Sequence, residues 1–581
     1  METDASEITA KVKDKEDTEF SSLFSRMDED LEIWEMSTSP INTYDAGIRA
    51  KTKAHGSDID IVSNEPRTFS DGVQAILSSA EMQIAVRVAE TEGEDKREET
   101  GKLERLFYFL LEKADERLRR LVLPPLRETL IWYSLVLGWA ATRVLIYKDG
   151  KNVISDIIGF NPRWLTYETG GEGLLWVAHK TFRSKSSLKS EYGYEAAKKT
   201  DNQVIDYWEF EEPGKISNAI LCSDTFLKEP EVYDIPSMPI LIMPISTRPP
   251  IADSTGTRLK GYGESIFAPI RNINAIRNRF ASVVASHANL MANQALINYK
   301  TAMGRSIPSD AMFNVPGEIV ELTMGENRLE PSPMKEISPT VVNMLNWLND
   351  QMEQGMLPKI RGEQPQSGTR YQLEKEAGNR VFNPQLRNLN YFYADICHLI
   401  EEQLVTGGVS KEKIKKVKFQ SQVKNKYYET EVTPVDLKKS HTIKVEFTAQ
   451  TPWTQQDTYA VADMAKRLGV PEGYIWEYIL KFQDPKGMAD LRAVELYENS
   501  PKGAMLRAWV ALMKQGRIDE AEQIKRDLSM LEMQELGVSS QQVTREMPEE
   551  TPVRRETMPL APPEEIPPEG IVTGSVPGGG I

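Results

Sequence analysis

Residues Gly256–Lys300 read GTRLKGYGESIFAPIRNINAIRNRFASVVASHANLMANQALINYK, and after Glu264 no acid follows until Asp310. In a chain of formal net charge −16 this is a local reversal of sign. Arg271, Arg277, Arg279, Lys300 and Arg305 carry the charge of the interval, and the rest is mostly Asn, Ala, Ser and aliphatic residues at helical spacing. The spacing predicts one long helix over 265–299, with Pro269 tolerated in its first turn. A helix without acids suits a surface facing a polyanion or packed against copies of itself. An ordinary buried helix is the other reading. The arginines do not form a stripe, because steps of six and eight residues turn a helix by about 600° and 800° at about 100° per residue. Some of them therefore point at neighbouring elements.

On the C-terminal side, 319–322 and 329–331 predict a compact β-hairpin-like insert rich in Pro and Gly, closed by a helix over 339–354. A loop follows, GMLPKIRGEQPQSGTRY over 355–371, then a long helix over 372–405 that Asn383–Pro384 should kink. A strand is expected at 442–447 and short amphipathic helices fill 454–536. From Gly537 the chain is rich in Pro, Glu and Gly and reads as a disordered tail. On the N-terminal side lies a β-containing body. Asp149–Gly150 between two apolar runs is a hairpin signal, and strands are expected at 174–178, 203–210, 219–222 and 240–245. Before it come helices over 71–90, with Ser70 as N-cap, then over 103–123 and 126–139. The charged stretch up to Glu19 reads as a mobile arm.

The length of 581 residues implies roughly three to four domains or sub-domains. No apolar run is long enough to span a bilayer, and the first residues, METDASEITAKVKDKEDTEF, do not resemble a signal peptide, so a soluble protein retained in the cell that makes it is expected. Cys222 and Cys397 are the two cysteines, far apart and outside any CxxC pair, and the five histidines form no HExxH, so neither a disulfide framework nor a metal site is expected. The acidic balance restricts any nucleic-acid contact to a local surface.

The chain contains no GxxxxGK[ST] phosphate loop and no GxSxG elbow. Its best carboxylate pair is Asp58 and Asp60 in HGSDIDIVSNE, which superficially matches a nucleotidyltransferase signature but lacks the spacer between Gly-Ser and the acids. Alternation with Ile59 and Ile61 fits a half-buried strand with one wet face instead. Gly261-Tyr262-Gly263 before the long helix lacks the third glycine of a phosphate cradle and reads as a tight turn. Lys359, Arg361 and Arg370 on the Gly-Pro loop are the better candidates for transient phosphate contact, against the plain alternative of a solvated loop.

The order of parts resembles the portal proteins of tailed bacteriophages. The resemblance is carried by GYGESIFAPIRNINAIRNRFASVVASHANLMANQALINYK, VPGEIVELTMGENRLEPSP, PTVVNMLNWLNDQMEQGMLPKI and QLEKEAGNRVFNPQLRNLNYFYADICHLIEEQL, and covers about residues 20–536. It implies a mainly helical α+β portal fold with small β-elements in wing and clip. The expected parts are an arm at 1–19, a wing at 20–262 and 372–450, and stem helices at 263–299 and 339–356. A clip at 300–338, a tunnel loop at 357–371, a crown at 451–536 and a tail at 537–581 complete it. The resemblance further implies a homo-oligomeric ring, commonly a dodecamer, at one capsid vertex of the virion, assembled in the host cytoplasm. Double-stranded DNA would pass through it during packaging and ejection. The terminase large subunit, a head-completion or tail adaptor, the major capsid protein and a scaffolding protein would be its partners. It would be a non-enzyme without cofactor, metal or membrane contact. Arg271, Arg277 and Arg279 would then lie in the stem and subunit interface, and Lys359, Arg361 and Arg370 at the DNA tunnel. The alternatives are a metal-dependent nucleic-acid enzyme using Asp58 and Asp60, or a virion scaffold or adaptor without a tunnel.

Overall fold

A computed structural model of the chain describes residues 4–37, 59–87, 95–150, 152–171, 173–245, 259–292, 296–300, 319–323, 328–331, 336–356, 383–409, 413–423, 426–438, 441–448, 452–480, 485–514 and 517–535. These residues form helices and mainly antiparallel sheets, the α+β class expected. They divide into two compact units between Asp490 and Leu491.

The first unit opens with helices α1 (Ala5–Lys15) and α2 (Ser21–Glu35), joined by a π-helical turn. This corrects the expected mobile arm. Ala5, Ile8 and Val12 recur at helical spacing and are buried, and one face of apolar residues is enough to dock a charged helix on a sheet. Burying an Ile or Val contributes roughly 1.5–3 kcal/mol. Next come α3 (Glu65–Ser78), β1 (Glu81–Arg87), α4 (Asp95–Arg120) and α5 (Leu126–Val136). Ser70 is therefore inside a helix, buried, and does not cap one. Ile84, expected on the helix, sits in β1, which pairs antiparallel with a strand far downstream.

Asp149–Gly150 makes the expected hairpin between β2 (Trp139–Asp149) and β3 (Asn152–Gly159), with Gly150 at φ +59°. Strands β4 (Leu165–Thr169), β5 (Leu174–Arg183), β6 (Asn202–Glu212), β7 (Lys215–Cys222) and β8 (Thr225–Tyr233) form a five-stranded antiparallel meander. β9 (Ile240–Pro244) joins β2 and β3 in a second sheet. The pleat sends successive side chains to opposite faces. Trp176, Ala178, Ile205 and Tyr207 accordingly pack on α1, while Val177 and Trp208 pack with Ala141, Phe160 and Ile240. The meander is thus covered by a helix on one face and by the β3-β2-β9 sheet on the other.

The acid-free stretch forms α6 (Arg271–Ala292) and then β10 (Leu296–Lys300), so the single helix expected over 265–299 is shorter at both ends. β10 pairs parallel with β11 (Ile319–Thr323) and antiparallel with β12 (Arg328–Pro331). The expected 319–331 hairpin is therefore a three-stranded sheet whose centre is β10. Helix α7 (Pro339–Gly355) follows as expected, capped by the Ser338 hydroxyl. Helix α8 (Asn383–Thr406) carries Asn383–Pro384 in its first described turn, and the residues before it, with the expected kink, lie outside the described residues.

An unanticipated hairpin, β13 (Val417–Val423) and β14 (Lys426–Val432), precedes β15 (Thr442–Thr448), the partner of β1. Gln403 of α8 works as a piece of strand: its Oε1 accepts from the Ile146 amide (2.8 Å) and its Nε2 donates to the Val144 carbonyl (2.7 Å). It satisfies β2 just past the residues that β9 covers. The largest core gathers α3, β1, α4, α5, α8 and the strands β13 to β15. Helices α9 (Pro452–Arg467) and α10 (Pro485–Asn499) follow, and in the second unit α11 (Pro501–Lys514) packs on α12 (Ile518–Glu535). The block is helical as its pattern predicted, and the tail lies outside the described residues. No helix among the described residues is long and apolar enough to cross a membrane.

Candidate functional site

Helices α6 and α7 lie side by side, and the three-stranded β10–β12 sheet is the chain between them. On α6, Asn278, Ser282 and Ser286 recur every four residues and share one face. The extended segment 59–63 runs along that face. The Ile59 amide donates to Ser286 Oγ (2.9 Å), the Ile61 amide to Ser282 Oγ (2.8 Å) and the Ser63 amide to Asn278 Oδ1 (3.2 Å). The two serine hydroxyls donate back to the carbonyls of Ile61 (3.3 Å) and Ile59 (3.4 Å). The match is geometric, because two residues of strand advance about 6.6 Å and four residues of helix about 6.0 Å. The helix side chains thus stand in for a neighbouring strand.

This corrects the half-buried strand expected around Asp58 and Asp60. Residues 59–63 are extended but join no sheet, and Ile59 and Ile61 are exposed, at 38% and 40%. Asp60 is exposed on this strap, and Asp58 lies outside the described residues. No group of three or more His, Cys, Asp or Glu placed to hold a metal occurs among the described residues.

Arg277 ties four elements together. Its Nε donates to Asn349 Oδ1 on α7 (2.5 Å), Nη1 to Ser63 Oγ on the strap (2.7 Å) and Nη2 to Glu65 Oε1 at the start of α3 (3.1 Å). Arg271 grips Asp30 of α2 with two bonds (2.8 and 2.9 Å) and reaches Glu264 (3.4 Å). Burial pushes the Asp30 carboxyl above its ordinary range, and the Arg271 pair opposes that push without cancelling it. Arg271 and Arg277 thus point at neighbouring elements of their own chain, while Arg279 is exposed on α6. Lys359, Arg361 and Arg370 lie outside the described residues.

The Gly261–Gly263 turn presents carbonyls. Arg26 donates to the carbonyls of Tyr262 (2.9 Å) and Gly263 (2.7 Å), and Trp139 Nε1 to that of Tyr262 (3.1 Å). An anion here would meet oxygen atoms, which agrees with a tight turn and not a phosphate cradle. Gly263 (φ +63°) lies against Gly138 (φ +74°) so closely that a Cβ on Gly263 would come within 2.4 Å of the Gly138 carbonyl oxygen. Phe267, Ile270 and Met352 complete the anchor by entering a core with Phe20, Phe24 and Trp139. The helix pair is therefore fixed at its base.

Further along, the pair presents apolar side chains to solvent: Ile276 and Val283 on α6, and Val342, Met344 and Trp347 on α7, the last 52% exposed. Sequence reasoning missed Asn278, Ser282 and Ser286. Their four-residue spacing was visible, but the segment they hold is more than 200 positions away. Neither the protein-family models nor the curated protein sequences show a match to this chain.

Proposed function

We propose that this chain is the subunit of a portal ring, the conduit at one capsid vertex through which double-stranded DNA is packaged and ejected. The observation that carries the reading is the anchored pair α6 and α7, with a small sheet inserted between them and exposed apolar residues along both. Apolar side chains on an otherwise charged chain favour burial against a partner. In a ring each subunit offers two different surfaces to its neighbours, and a two-helix stem supplies one on each side.

In this reading α6 and α7 are the stem and the β10–β12 sheet is the clip, where the terminase large subunit and a tail adaptor would dock. The two stacked sheets with α1–α5, α8 and β13–β15 make up the wing, and the C-terminal helices the crown. Capsid and scaffolding proteins would surround it in the virion. Residues 357–371, carrying Lys359, Arg361 and Arg370, would line the tunnel. Sparse cations suit passage, because each phosphate contact adds salt-dependent affinity that would slow a sliding duplex.

Negative-stain microscopy of the purified full-length protein, with light scattering, tests this directly. The expected result is a ring with a central hole. A monomer under every assembly condition would overturn the reading. Metal-dependent nucleic-acid turnover that disappears in Asp58→Ala would replace it with the enzyme reading.

A further inference from the structure

A second feature stands apart from the stem. A surface groove of about 860 Å³ opens between α4, the β2–β3 hairpin and the segment leading into β13. Helix α4 contributes Lys113, Arg117 and Arg120 to its wall, and the hairpin contributes Lys148. The segment leading into β13 and the strand itself contribute Lys413, Lys415, Lys416 and Lys418. Glu116 is the single acid among the described lining residues.

Some of this charge is answered within the chain. Lys113 pairs with Glu116 (2.7 Å), Arg117 with Asp156 (2.7 Å), and Lys416 and Lys418 with Glu431 (3.0 and 3.6 Å). These pairings answer part of the charge, and the described lining residues remain predominantly cationic in a chain whose total is −16. Bringing like charges to one place is unfavourable in the free protein, and three separate stretches of chain converge to do it here. The four lysines before and in β13, with Arg120, are exposed and so within reach of a polyanion in solvent. Apolar side chains of Phe109, Leu121, Val153 and Val417 complete the lining, and Phe109 stacks on Phe419 beneath Lys113.

We propose that this groove binds the phosphate backbone of a nucleic acid without reading its sequence. Six of the eight cations are lysines, which meet phosphate as mobile point charges with no fixed docking geometry. The volume lies near the top of the roughly 300–1,000 Å³ range of small-molecule pockets, while the lining is cationic where such pockets are apolar. This is the pattern of a polymer track. Choosing nucleic acid over an acidic protein segment rests on the portal reading, in which double-stranded DNA passes through the ring. The binding chemistry itself does not depend on ring formation.

The test uses the full-length protein and a fluorescently labelled DNA duplex, with affinity read by anisotropy across a salt series. The triple variant Arg120→Glu, Lys413→Glu, Lys415→Glu changes exposed side chains only, so circular dichroism should match that of the parent chain. Each phosphate contact contributes about 0.9 to the slope of log K against log salt, so the variant should lose roughly tenfold or more in affinity and the slope should flatten by about 2–3. The variant Lys413→Arg, Lys415→Arg should keep both. Affinity and slope unchanged in the triple variant overturn the proposal, as does tighter binding of polyglutamate than of DNA. Loss of oligomers with DNA binding intact also overturns it, since the groove is then a contact between copies. Absence of rings together with variant-sensitive DNA binding removes the portal reading and leaves the groove standing.

Discussion

His179 lies inside the five-stranded meander, its ring stacked on Phe160 at 3.9 Å between centroids with planes 8° apart. Burial, with the nearby Arg143 guanidinium, lowers its pKa to about 3. The native imidazole therefore stays neutral through mild acid, whereas the unfolded chain takes up a proton near pH 6.5. Between those values the unfolded state binds the extra proton, so stability falls as pH falls, by about 1.4 kcal/mol per pH unit. Lowering the pH from 7 to 5 should cost about 2 kcal/mol at this site, measured by urea unfolding. His179→Phe keeps an aromatic ring on Phe160 and should remove that part of the pH dependence. An identical pH dependence in both proteins would assign the acid sensitivity to other groups. Nothing in the sequence marks this residue: five scattered histidines look alike until one is enclosed. Gly261 and Gly263 were more legible, because a paired glycine before a helix already implied a tight turn. Only the fold revealed that Gly263 meets Gly138 backbone to backbone.

Elements whose signal is local were read well. The Asp149–Gly150 hairpin and α7 appear where turn chemistry and helical period placed them. Elements whose partner is remote were misread. β1 was merged into a preceding helix because Ile84 fits either period, and its strand pairing with β15 comes from more than 350 residues away. β10 was taken as the end of a helix for the same reason, its partners being β11 and β12. The strap along α6 is the clearest case, since an extended segment held by serine hydroxyls matches no standard pattern. Its stability should be local. Ser282→Ala with Ser286→Ala removes the two hydroxyl partners of the Ile59 and Ile61 amides. With the two bonds that the hydroxyls donate back, four hydrogen bonds are lost, an expected cost of about 2–6 kcal/mol confined to the strap, at about 0.5–1.5 kcal/mol per hydrogen bond. Hydrogen exchange of those two amides should accelerate while the α6 backbone stays protected; unchanged exchange would mean that the serines do not hold the strap.

At the scale of the whole molecule, the prediction concerns assembly. Trp347 is half exposed on α7 beside exposed Met344, and in the proposed ring it faces a neighbouring subunit. Trp347→Glu places a charge in that contact and should shift light-scattering mass from rings toward small species, with the fold retained by circular dichroism. Rings unaffected by this change would move the subunit contact away from this face. By itself the sequence determined the α+β class, the helical C-terminal block and the acid-free stretch that became α6, because charge and short-period patterning act through neighbours a few residues apart. The tertiary structure alone decided that Arg271 and Arg277 brace their own chain, that the first residues dock as a helix on a sheet, and that eight cations from three stretches share one groove. Those outcomes depend on burial and pairing between residues tens to hundreds of positions apart, whose energies exist only once the chain has brought them together.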